Sequence, residues 1–596
     1  MREYQAPLAD MQFVLRELVD HRLIAQLPGF EEATVELGEA VLEEAAKFAG
    51  GVLSPLNPTG DREGVRWRDT EVITASGWKQ AYRQFVEGGW NALACPREYG
   101  GQNLPRALSA LVEEMWNGAN MSFTLCPMLT RGAIEAIDLK GSQRQKDTYL
   151  PKMVSGEWTG TMNLTEPQAG SDLAAVRTRA EPLGGGRYKL EGQKIFITYG
   201  EHDLTENIVH MVLARTPGAP EGVKGISLFL VPKFLLEPDG SLGERNGVRC
   251  LSVEHKLGIH ASPTCVLAYG QGGAALGELI GEENRGLEYM FIMMNAARFA
   301  VGLEGVGLSE RAFQGALAFA NERLQGTEPG QKGRVPIARH PDVRRMLMLM
   351  KSKTEAMRAL ASVCAVSLDA ARLHPEAEAR SRHQAFADLM IPVIKGWCTE
   401  NSIGLTSLAL QVHGGMGFIE ETGVAQLYRD ARITTIYEGT TGIQANDLLG
   451  RKIARDGGRA AQALIEEMRK LGAAASKAPA LAAAAGVFCD GMDALERAVR
   501  FVVSSCARDM RGASAGAVPL LELFGILAGG WQLLRSALIA AERLAAPGSP
   551  GALDPAFYRA KIETARFYAD HVLPHAPALA HTIVEGACAA LAEAAL

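Results

Sequence analysis

A block of short β-type runs lies between long helical stretches, and this change of pattern constrains the fold more than any other feature of the sequence. Between about residues 160 and 275, Gly and Pro separate apolar runs at 194–198, 207–213 and 226–231. Such runs, without helical segments between them, indicate an antiparallel sheet or a small barrel and argue against βαβ crossovers. The predicted fold class is therefore α+β.

Helical periodicity is found on both sides of the β block. Apolar residues recur at helical spacing from Leu37 to Phe48, with Gly50-Gly51 as the expected end of that helix, and long helices are predicted again from Asn284 to about 450. At roughly 150 residues per domain, a chain of 596 residues suggests about four domains. The predicted segments are 1–35 (an N-terminal extension), 36–160 (helical), 161–280 (antiparallel β), 281–450 (helical) and 451–596 (an additional helical domain).

The last segment is rich in alanine and nearly neutral in charge. Its 146 residues include 39 Ala, 16 basic residues and 14 acidic residues. Asp554-Pro555 has the pattern of an N-cap followed by proline in the first helical position. Apolar residues spaced by 4, 3, 4 and 3 positions predict an amphipathic helix: Phe488, Met492, Leu495, Val499 and Val502.

Composition argues against several functional classes. Lys and Arg total 61 against 68 Asp and Glu, a net charge of −7, and aromatic residues make up 6%, so no nucleic-acid surface is expected. Nine scattered cysteines without a CxxC pair indicate reduced thiols. The charged N-terminus lacks the pattern of a secretory signal, and no run of about 20 apolar residues could span a membrane. We therefore expect a cytoplasmic protein without a membrane span.

Two glycine-containing segments could hold a ligand. Segment 162–172 places hydroxyl groups around a Pro/Gly turn, which could bind a ring system or a phosphate; an ordinary turn capped by Asp172 is the alternative. Segment 411–418 has glycines that allow close backbone approach, but it lacks the βαβ context of a dinucleotide-binding fingerprint. Its His413 is typical of a packing residue, and no ligation role is assigned to it.

A third segment, 432–444, places Glu438 between an apolar aromatic stretch and a Gly-Thr-Thr-Gly turn. Desolvation at such a position would raise the pKa of the carboxyl towards neutrality and make it a usable general base. A solvated loop carboxylate is the alternative.

Taken together and in this order, the segments resemble the acyl-CoA dehydrogenase family. The matching letters are LTEP and GSD within 164–172, KIFIT at 194–198, QVHGGMGF at 411–418 and IYEGT at 436–440. The resemblance covers about residues 36–450 and implies a helical domain, an antiparallel β domain and a helical bundle around FAD. The opening YxAPLxDMxF at 4–13 and the helical extension after 450 are similar to a bacterial subgroup, which includes long-chain, medium-chain and 3-methylmercaptopropionyl-CoA dehydrogenases.

The resemblance implies that Glu438 removes the α-proton of an acyl-CoA while a hydride passes from Cβ to flavin N5. It also implies that the thioester oxygen accepts hydrogen bonds from the Glu438 backbone N–H and a flavin ribityl hydroxyl, an oxyanion-hole arrangement. Some family members carry the base just before the arginine that Arg298 matches. Here that position is Ala297, which cannot abstract a proton.

The other roles implied by the resemblance concern binding. Ser171, Arg298 and Gly439 are expected to contact the substrate, although Arg298 could instead be a surface arginine that opens a helix. The loop after Arg323 is longer than usual, so Gln325 is a weaker candidate than Arg323, and Phe196 replaces a tryptophan that many members have. The expected FAD contacts are Met162, Leu164, Thr165, Phe196, Thr198, Arg323, Gln411, His413, Gly414, Gly415 and Thr440.

The expected function is oxidation of a fatty acyl-CoA to the trans-2-enoyl-CoA in β-oxidation, with 3-methylmercaptopropionyl-CoA as the alternative substrate. An electron-transfer flavoprotein is the expected electron acceptor, and a homodimer or a dimer of dimers the expected assembly. An acyl-CoA oxidase and a DNA-associated relative are less favoured; the balanced charge of the extension argues against the latter. The extension also lacks a basic amphipathic face for membrane binding.

Overall fold

The helical and β segments occur in the predicted order in the computed structural model. The structure describes residues 3–328, 330, 332–546 and 553–593. Pro329 and Gln331 of the loop after Arg323, and the outermost residues of the first and last predicted segments, lie outside the described residues.

The helices of the described residues are α1 Leu8–Phe13, α2 His21–Ile24, α3 Val35–Phe48, α4 Ser54–Glu63, α5 Trp78–Glu87, α6 Arg106–Lys140, α7 Gln143–Ser155, α8 Gly286–Glu322, α9 Pro341–Leu373, α10 Ala377–His413, α11 Val424–Ala431, α12 Thr441–Asn446, α13 Arg459–Ala475, α14 Ala482–Ser505, α15 Met510–Ala515, α16 Ala517–Ala545, α17 Pro555–His571, α18 Ala576–Glu585 and α19 Ala587–Ala590. The strands are β1 Arg66–Arg68, β2 Glu71–Ile73, β3 Trp158–Asn163, β4 Arg179–Gly184, β5 Arg187–Thr198, β6 Asn207–Ala214, β7 Ser227–Pro232, β8 Phe234–Leu236, β9 Leu242–Arg245, β10 Val248–Val253, β11 Thr264–Tyr269 and β12 Ala275–Ile280.

Packing divides the chain into two compact units. The helical unit comprises Met1–Lys47, Pro105–Gly118 and Arg298–Leu596, and the β unit comprises Phe48–Leu104 and Ala119–Ala297. Residues of the predicted helical segment 36–160 therefore contribute to both units.

The β unit contains an eight-stranded sheet with the strand order β10-β11-β5-β12-β7-β6-β3, to which β4 adds by pairing with β5. All pairs are antiparallel except β3 with β6, which run parallel. The expectation of a purely antiparallel sheet is wrong at this edge, because the chain passes through β4 and β5 before β6 and enters β6 in the direction of β3. Strands β3, β6, β7 and β11 are buried along their whole length, which explains their apolar runs.

The helical unit confirms the two local predictions for the C-terminal extension. The five apolar residues predicted on one helix face are all buried in α14. Asp554 caps α17 by accepting a hydrogen bond from the Ala556 N–H at 2.7 Å, and Pro555 is the first helical residue.

The expected end of the first long helix at Gly50-Gly51 is wrong. Helix α3 continues through a π-helical turn, Ala49–Leu53, directly into α4. The wider turn accommodates the two glycines without breaking the helical path, because a π-turn inserts one extra residue into the helix.

Two helices, α8 and α16, are long and apolar enough to cross a membrane. Their most apolar 18-residue windows are 72% and 78% buried inside the protein, as expected of core helices. Burial by protein accounts for the apolar character of both.

A cluster of paired charges, here called the anchor cluster, lies in the helical unit. It consists of Asp10, Glu114, Glu310, Glu355, Arg358 and Lys561. Arg358 of α9 donates to Glu114 of α6 at 2.9 Å and to Glu310 of α8 at 2.8 Å, and it also pairs with Asp10. Lys561 of α17 pairs with Asp10 and with Glu355 of α9. The cluster thus ties the N-terminal segment and the C-terminal extension to the central helices.

Candidate active site

The predicted turn at 162–172 follows β3 in the β unit and is held by a buried carboxylate. Glu166 accepts hydrogen bonds from the backbone N–H groups of Arg177 and Thr178, at 2.7 and 3.0 Å, and from Lys194 Nζ at 2.8 Å. Although burial alone would raise it, these partners lower the pKa of Glu166 to about 2. Lys194 also donates to the Leu164 carbonyl at 3.0 Å. The turn is therefore rigidly attached to β5.

The predicted FAD contacts on this turn differ in exposure. Met162 is buried at the end of β3, whereas Leu164 and Thr165 are partly exposed and Ser171 is exposed. The Thr165 carbonyl accepts the Ile195 N–H at 2.9 Å. Asp172 caps the short helical turn that follows by accepting a hydrogen bond from the Ala174 N–H at 3.0 Å. The capping role that the sequence suggested as the alternative is therefore present at Asp172.

Phe196 lies on β5 at an irregularity of the sheet. The register against β11 shifts opposite this residue, its backbone is left-handed with φ +59°, and its ring is 58% exposed. A bulky residue rarely adopts this conformation, and bulges of this kind re-aim side chains next to functional sites. Thr198, two residues on, is partly exposed. An aromatic ring held out of a sheet in this way is suited to packing against a planar ligand.

In the helical unit, four predicted FAD contacts are available for binding. Arg323, just after α8, and Gln411, in the last turn of α10, are exposed, and their side chains make no hydrogen bond or ion pair among the described residues. A Cβ placed at Gly414 or Gly415 would meet no atom within 4 Å, and Gly414 has a φ of +59°. These glycines therefore leave their backbone open to a ligand.

His413 is arranged differently from these neighbours. Its ring is buried and stacks on Phe319 with ring centroids 4.4 Å apart. Its Nδ1 hydrogen-bonds the Ala409 carbonyl at 2.7 Å, and burial lowers the pKa of the imidazole. The packing role noted for this histidine is therefore the one its side chain performs.

Glu438 lies in a tight loop before α12, and its backbone is left-handed with φ +55°. Such strain in a non-glycine residue is found mainly at functional sites. The carboxyl is partly buried, and desolvation raises its pKa to about 7, against the opposing charges of Arg298 and Lys395. Its backbone N–H donates to no acceptor among the described residues. The loop thus presents a carboxyl that titrates near neutrality beside a free N–H donor.

Hydrogen bonds from two buried side chains hold the loop. Gln444 Nε2 donates to the carbonyls of Glu438 and Gly439, both at 3.1 Å. Lys395 Nζ, on α10, donates to the Gly439 carbonyl at 2.7 Å. Thr440 is exposed and caps α12 by accepting the Ile443 N–H at 3.4 Å.

Arg298 is buried within α8, so the alternative of a surface arginine at the start of a helix is wrong. It donates to Asp447 at 3.0 Å, and burial lowers the pKa of its guanidinium. Its positive charge lowers the pKa of Glu438 and so acts against the desolvation of that carboxyl. The preceding Ala297 is also buried.

Two further residues next to the Glu438 loop escaped the sequence analysis. Glu304 of α8 accepts a hydrogen bond from the Tyr437 hydroxyl, and burial raises the pKa of this carboxyl to about 8. The available signal was a single charged residue inside an apolar helical run, Leu303-Glu304-Gly305. Lys395 shows the same signal, since it follows Ile394 on a buried stretch of α10.

Several buried polar atoms around Glu438 lack a hydrogen-bond partner among the described residues. They are Arg298 Nε, Glu304 Oε1 and Gln444 Oε1. Buried polar groups are almost always satisfied by protein, water or ligand, so these atoms leave the surroundings of Glu438 with capacity for hydrogen bonds to water or a ligand. Within the described residues, no group of His, Cys, Asp or Glu could hold a metal ion.

Comparisons with known proteins agree with this arrangement. Residues 37–157, 161–271 and 284–453 match the N-terminal, middle and C-terminal domains of the acyl-CoA dehydrogenases, and residues 464–593 match a domain described as acetyl-CoA dehydrogenase C-terminal like. The 3-methylmercaptopropionyl-CoA dehydrogenase of Ruegeria pomeroyi is 50% identical over 96% of both chains. The chain belongs to the acyl-CoA dehydrogenase family.

This acyl-CoA dehydrogenase is also similar to a further sequence relative and to a solved structure. The broad-specificity linear acyl-CoA dehydrogenase FadE5 of Mycobacterium tuberculosis is 35% identical over 96% of both chains. Caenorhabditis elegans ACDH-11 in complex with C11-CoA shares the fold, with a TM-score of 0.76, 20% identity and coverage of 96% of this chain and 92% of that one.

The predicted recognition, fold class and enzyme activity are thereby confirmed. This dehydrogenase acts on the CH–CH group of an acyl-CoA, and FAD is the cofactor of its family. The extension after 450 is part of the relatives that match over the full length.

Proposed function

We propose that this enzyme oxidises 3-methylmercaptopropionyl-CoA to the corresponding α,β-unsaturated thioester. The observation that carries the proposal is the 50% identity, over 96% of both chains, to a dehydrogenase named for that substrate. The reaction removes a proton from Cα and a hydride from Cβ and forms a carbon–carbon double bond. This substrate replaces the straight-chain fatty acyl-CoA that was the first expectation from the sequence. The support for a straight-chain substrate is the lower identity, 35%, to a linear acyl-CoA dehydrogenase.

Glu438 is the base in this proposal. Its pKa of about 7 lets it exist as a carboxylate at neutral pH and still accept a proton readily. The Glu438 N–H, which lacks an acceptor in the described chain, would donate to the thioester oxygen and stabilise the charge that develops there. Bound FAD supplies the acceptor for the hydride.

The charges beside Glu438 favour its ionised form before the substrate proton is removed. Arg298 and Lys395 lower the pKa of the carboxyl, and burial opposes them. Arg298 is itself held by Asp447, so its charge stays fixed near the acyl site. Gly439 allows the turn to pass close to the substrate, with a φ of +88°.

The residues present fit FAD. In the helical unit, the guanidinium of Arg323 suits the pyrophosphate, and Gln411, Gly414 and Gly415 offer an amide and open backbone, with Thr440 beside the base. His413 would contribute through its backbone, since its ring is committed to Phe319.

In the β unit, the proposed FAD contacts are Met162, Leu164, Thr165, Phe196 and Thr198. The exposed ring of Phe196 is the feature that most suits a flavin, because a planar apolar surface packs well on an isoalloxazine ring. Ser171, exposed beyond the same turn, is proposed to meet the CoA portion.

The proposed setting is a cytoplasmic homodimer, or dimer of dimers, that passes electrons to an electron-transfer flavoprotein. Exposed apolar side chains in and just after the glycine loop, residues 414–417, support assembly into a dimer. Met416 is 51% exposed, Phe418 87% and Ile419 45%. Exposed apolar patches of this kind often mark protein contacts.

Anaerobic reduction of the flavin by a substrate series tests the proposal. Pentanoyl-CoA is the matched control, because it differs from 3-methylmercaptopropionyl-CoA only by a methylene in place of sulfur. We expect faster reduction, at equal concentration, with the sulfur substrate than with pentanoyl-CoA or longer straight chains, and a product lighter by two hydrogens. Faster reduction by a straight-chain thioester would favour the fatty acyl-CoA alternative. Rapid oxygen-dependent turnover with peroxide release would instead favour an oxidase.

A further inference from the structure

The loop that carries Glu438 has a conformation that it cannot hold by itself. Glu438 and Gly439 are successive left-handed residues, with φ of +55° and +88°. For glutamate this conformation is unfavourable and persists only when surrounding groups fix it. What fixes the loop therefore also determines where the carboxyl of the base points.

The carbonyl groups of these two residues face buried donors. Gln444, on α12, donates to both of them at 3.1 Å. Lys395 adds the shorter hydrogen bond, 2.7 Å from Nζ to the Gly439 carbonyl oxygen. Of the two donors, only Lys395 comes from outside the loop and the short helix that follows it.

Lys395 is an unusual residue for its place on α10. It is completely buried, and lysines are almost never fully buried without a partner. Its ammonium group makes no ion pair within the described chain, and its Nζ hydrogen bond is to the Gly439 carbonyl. The carboxyls of Glu438, Glu304 and Glu400 favour its charged form electrostatically, and the guanidinium of Arg298 opposes it. The loop carbonyl and these carboxyls thus compensate for its burial.

The C-terminal extension packs against α10 immediately after Lys395. A Cβ at Gly396 would lie 2.4 Å from Leu521, and a Cβ at Gly525 would lie 2.1 Å from the Trp397 ring. The glycines therefore let α16 and α10 approach more closely than any side chain would permit. This contact fixes α10 at the turn from which Lys395 reaches the loop.

We propose that Lys395 is a positioning residue for the base: its ammonium holds the Gly439 carbonyl, and with it the left-handed turn that aims Glu438, while the extension braces α10 behind it. The inference rests on the proposed role of Glu438. It assigns the extension a function in catalysis, through α16, in addition to its packing in the helical unit.

The ammonium group has a second effect that a purely structural lysine would lack. Its positive charge favours the carboxylate of Glu438 and opposes the desolvation that raises the pKa of that carboxyl. Removal of the charge should therefore move the titration of the base to higher pH.

The test uses the full-length enzyme with bound FAD and three substitutions of Lys395. Lys395→Met removes both the charge and the donor, Lys395→Gln removes the charge but keeps a donor, and Lys395→Arg keeps both. The control is Lys353→Met, on the neighbouring helix α9, where a largely buried lysine interacts with Glu522 of the extension instead. Flavin content, thermal unfolding and the anaerobic flavin-reduction rate are measured as a function of pH.

For Lys395→Met we expect roughly a 10²-fold loss in reduction rate, the scale of a small misplacement of a catalytic group. Its pH–rate midpoint should lie above that of the wild type. Lys395→Gln should show the raised midpoint with a smaller loss of rate, Lys395→Arg should recover the wild-type midpoint, and Lys353→Met should match the wild type.

The proposal is overturned if neither neutral variant moves the midpoint. Lys395→Gln and Lys395→Arg keep this outcome measurable even if Lys395→Met does not fold. Failure of the base assignment gives a different result: Glu438→Gln would then reduce its flavin at the wild-type rate, whatever the Lys395 variants do.

Discussion

The helical unit contains two clusters of buried charge that differ in how their polar atoms are satisfied. In the anchor cluster, Arg358 has carboxylate partners on three elements, and Lys561 has two. Around Glu438, by contrast, polar atoms of Arg298, Glu304 and Gln444 are buried without a hydrogen-bond partner in the described chain. The first cluster is complete, and the second has capacity for additional partners.

The pKa shifts of the two clusters overlap, so it is the pairing of polar atoms that separates them. In the anchor cluster, opposite charges lower the pKa of Asp10 and raise that of Arg358, while burial raises the pKa of Glu114 to about 7. Around Glu438, desolvation prevails, and the pKa values of Glu304 and Glu438 rise to about 8 and about 7. Satisfied charge thus holds helices together, whereas the polar atoms around Glu438 can still take further partners.

The largest expected effect comes from removal of the base. Glu438→Gln should lower the rate of flavin reduction by about 10²–10⁴-fold, the contribution of a general base, while FAD and acyl-CoA still bind. Stopped-flow absorbance under anaerobic conditions measures this rate. Glu421→Gln, an exposed Glu-to-Gln change, should leave it unaltered. Near-normal reduction by Glu438→Gln would place the base elsewhere and remove the contrast between the clusters.

A change in the anchor cluster should affect stability and leave chemistry intact. Arg358→Met removes the cationic partner of the buried carboxyls of Glu114 and Glu310 and one of the two partners of Asp10, and we expect a loss of about 3–5 kcal/mol in the free energy of unfolding. Denaturant titration measures it. The exposed pair formed by Arg566 is the control, because Arg566→Met should cost at most about 1 kcal/mol. If the Arg358→Met enzyme folds but reduces its flavin slowly, the anchor cluster contributes to the chemistry as well as to stability, which would contradict the account.

The pH dependence of the reaction should follow the base. Glu438 must be ionised to remove a proton, and its raised pKa of about 7 means that protonation inactivates it on the acid side. The rate of flavin reduction at limiting substrate should therefore rise through a midpoint near pH 7 in the wild type. A midpoint near the ordinary value of a glutamate would mean that the carboxyl is solvated, as the alternative reading of the loop supposes.

The smallest expected effect lies outside both clusters, at the cap of α17. Asp554→Ala removes the hydrogen bond to the Ala556 N–H and should cost about 0.5–2 kcal/mol of stability. Thermal unfolding measures the loss, and Asp554→Asn should retain most of the stability. Flavin reduction should not change, because the cap makes no contact with either cluster. A larger loss would mean that α17 orders a wider part of the extension.

The sequence predicts the parts of this fold that depend on local pattern. The buried face of α14 and the cap of α17 follow from spacing and capping chemistry that need no tertiary information. The parallel pairing of β3 with β6 could not be predicted, because it depends on the path of the chain between the two strands. The π-helical turn at Gly50-Gly51 has the same local sequence as a helix end.

The candidate site shows the same division. Glu438 and the glycine loop lie in short motifs whose residue types suggest their chemistry, so sequence reasoning reaches them. Lys395 and Glu304 lie inside apolar runs of their helices, and only the tertiary structure brings each next to the Glu438 loop. A lone charge in a buried run is the one sign they leave in the sequence.

Exchange of the α-proton tests the central claim most directly, because it isolates the base from hydride transfer. A CoA thioester with sulfur in place of Cβ retains acidic α-protons but has no β-hydrogen to lose. In D₂O the wild-type holoenzyme should exchange the α-protons of this compound, as followed by NMR, and Glu438→Gln should not. Exchange at an undiminished rate in Glu438→Gln would contradict the assignment of Glu438 as the base.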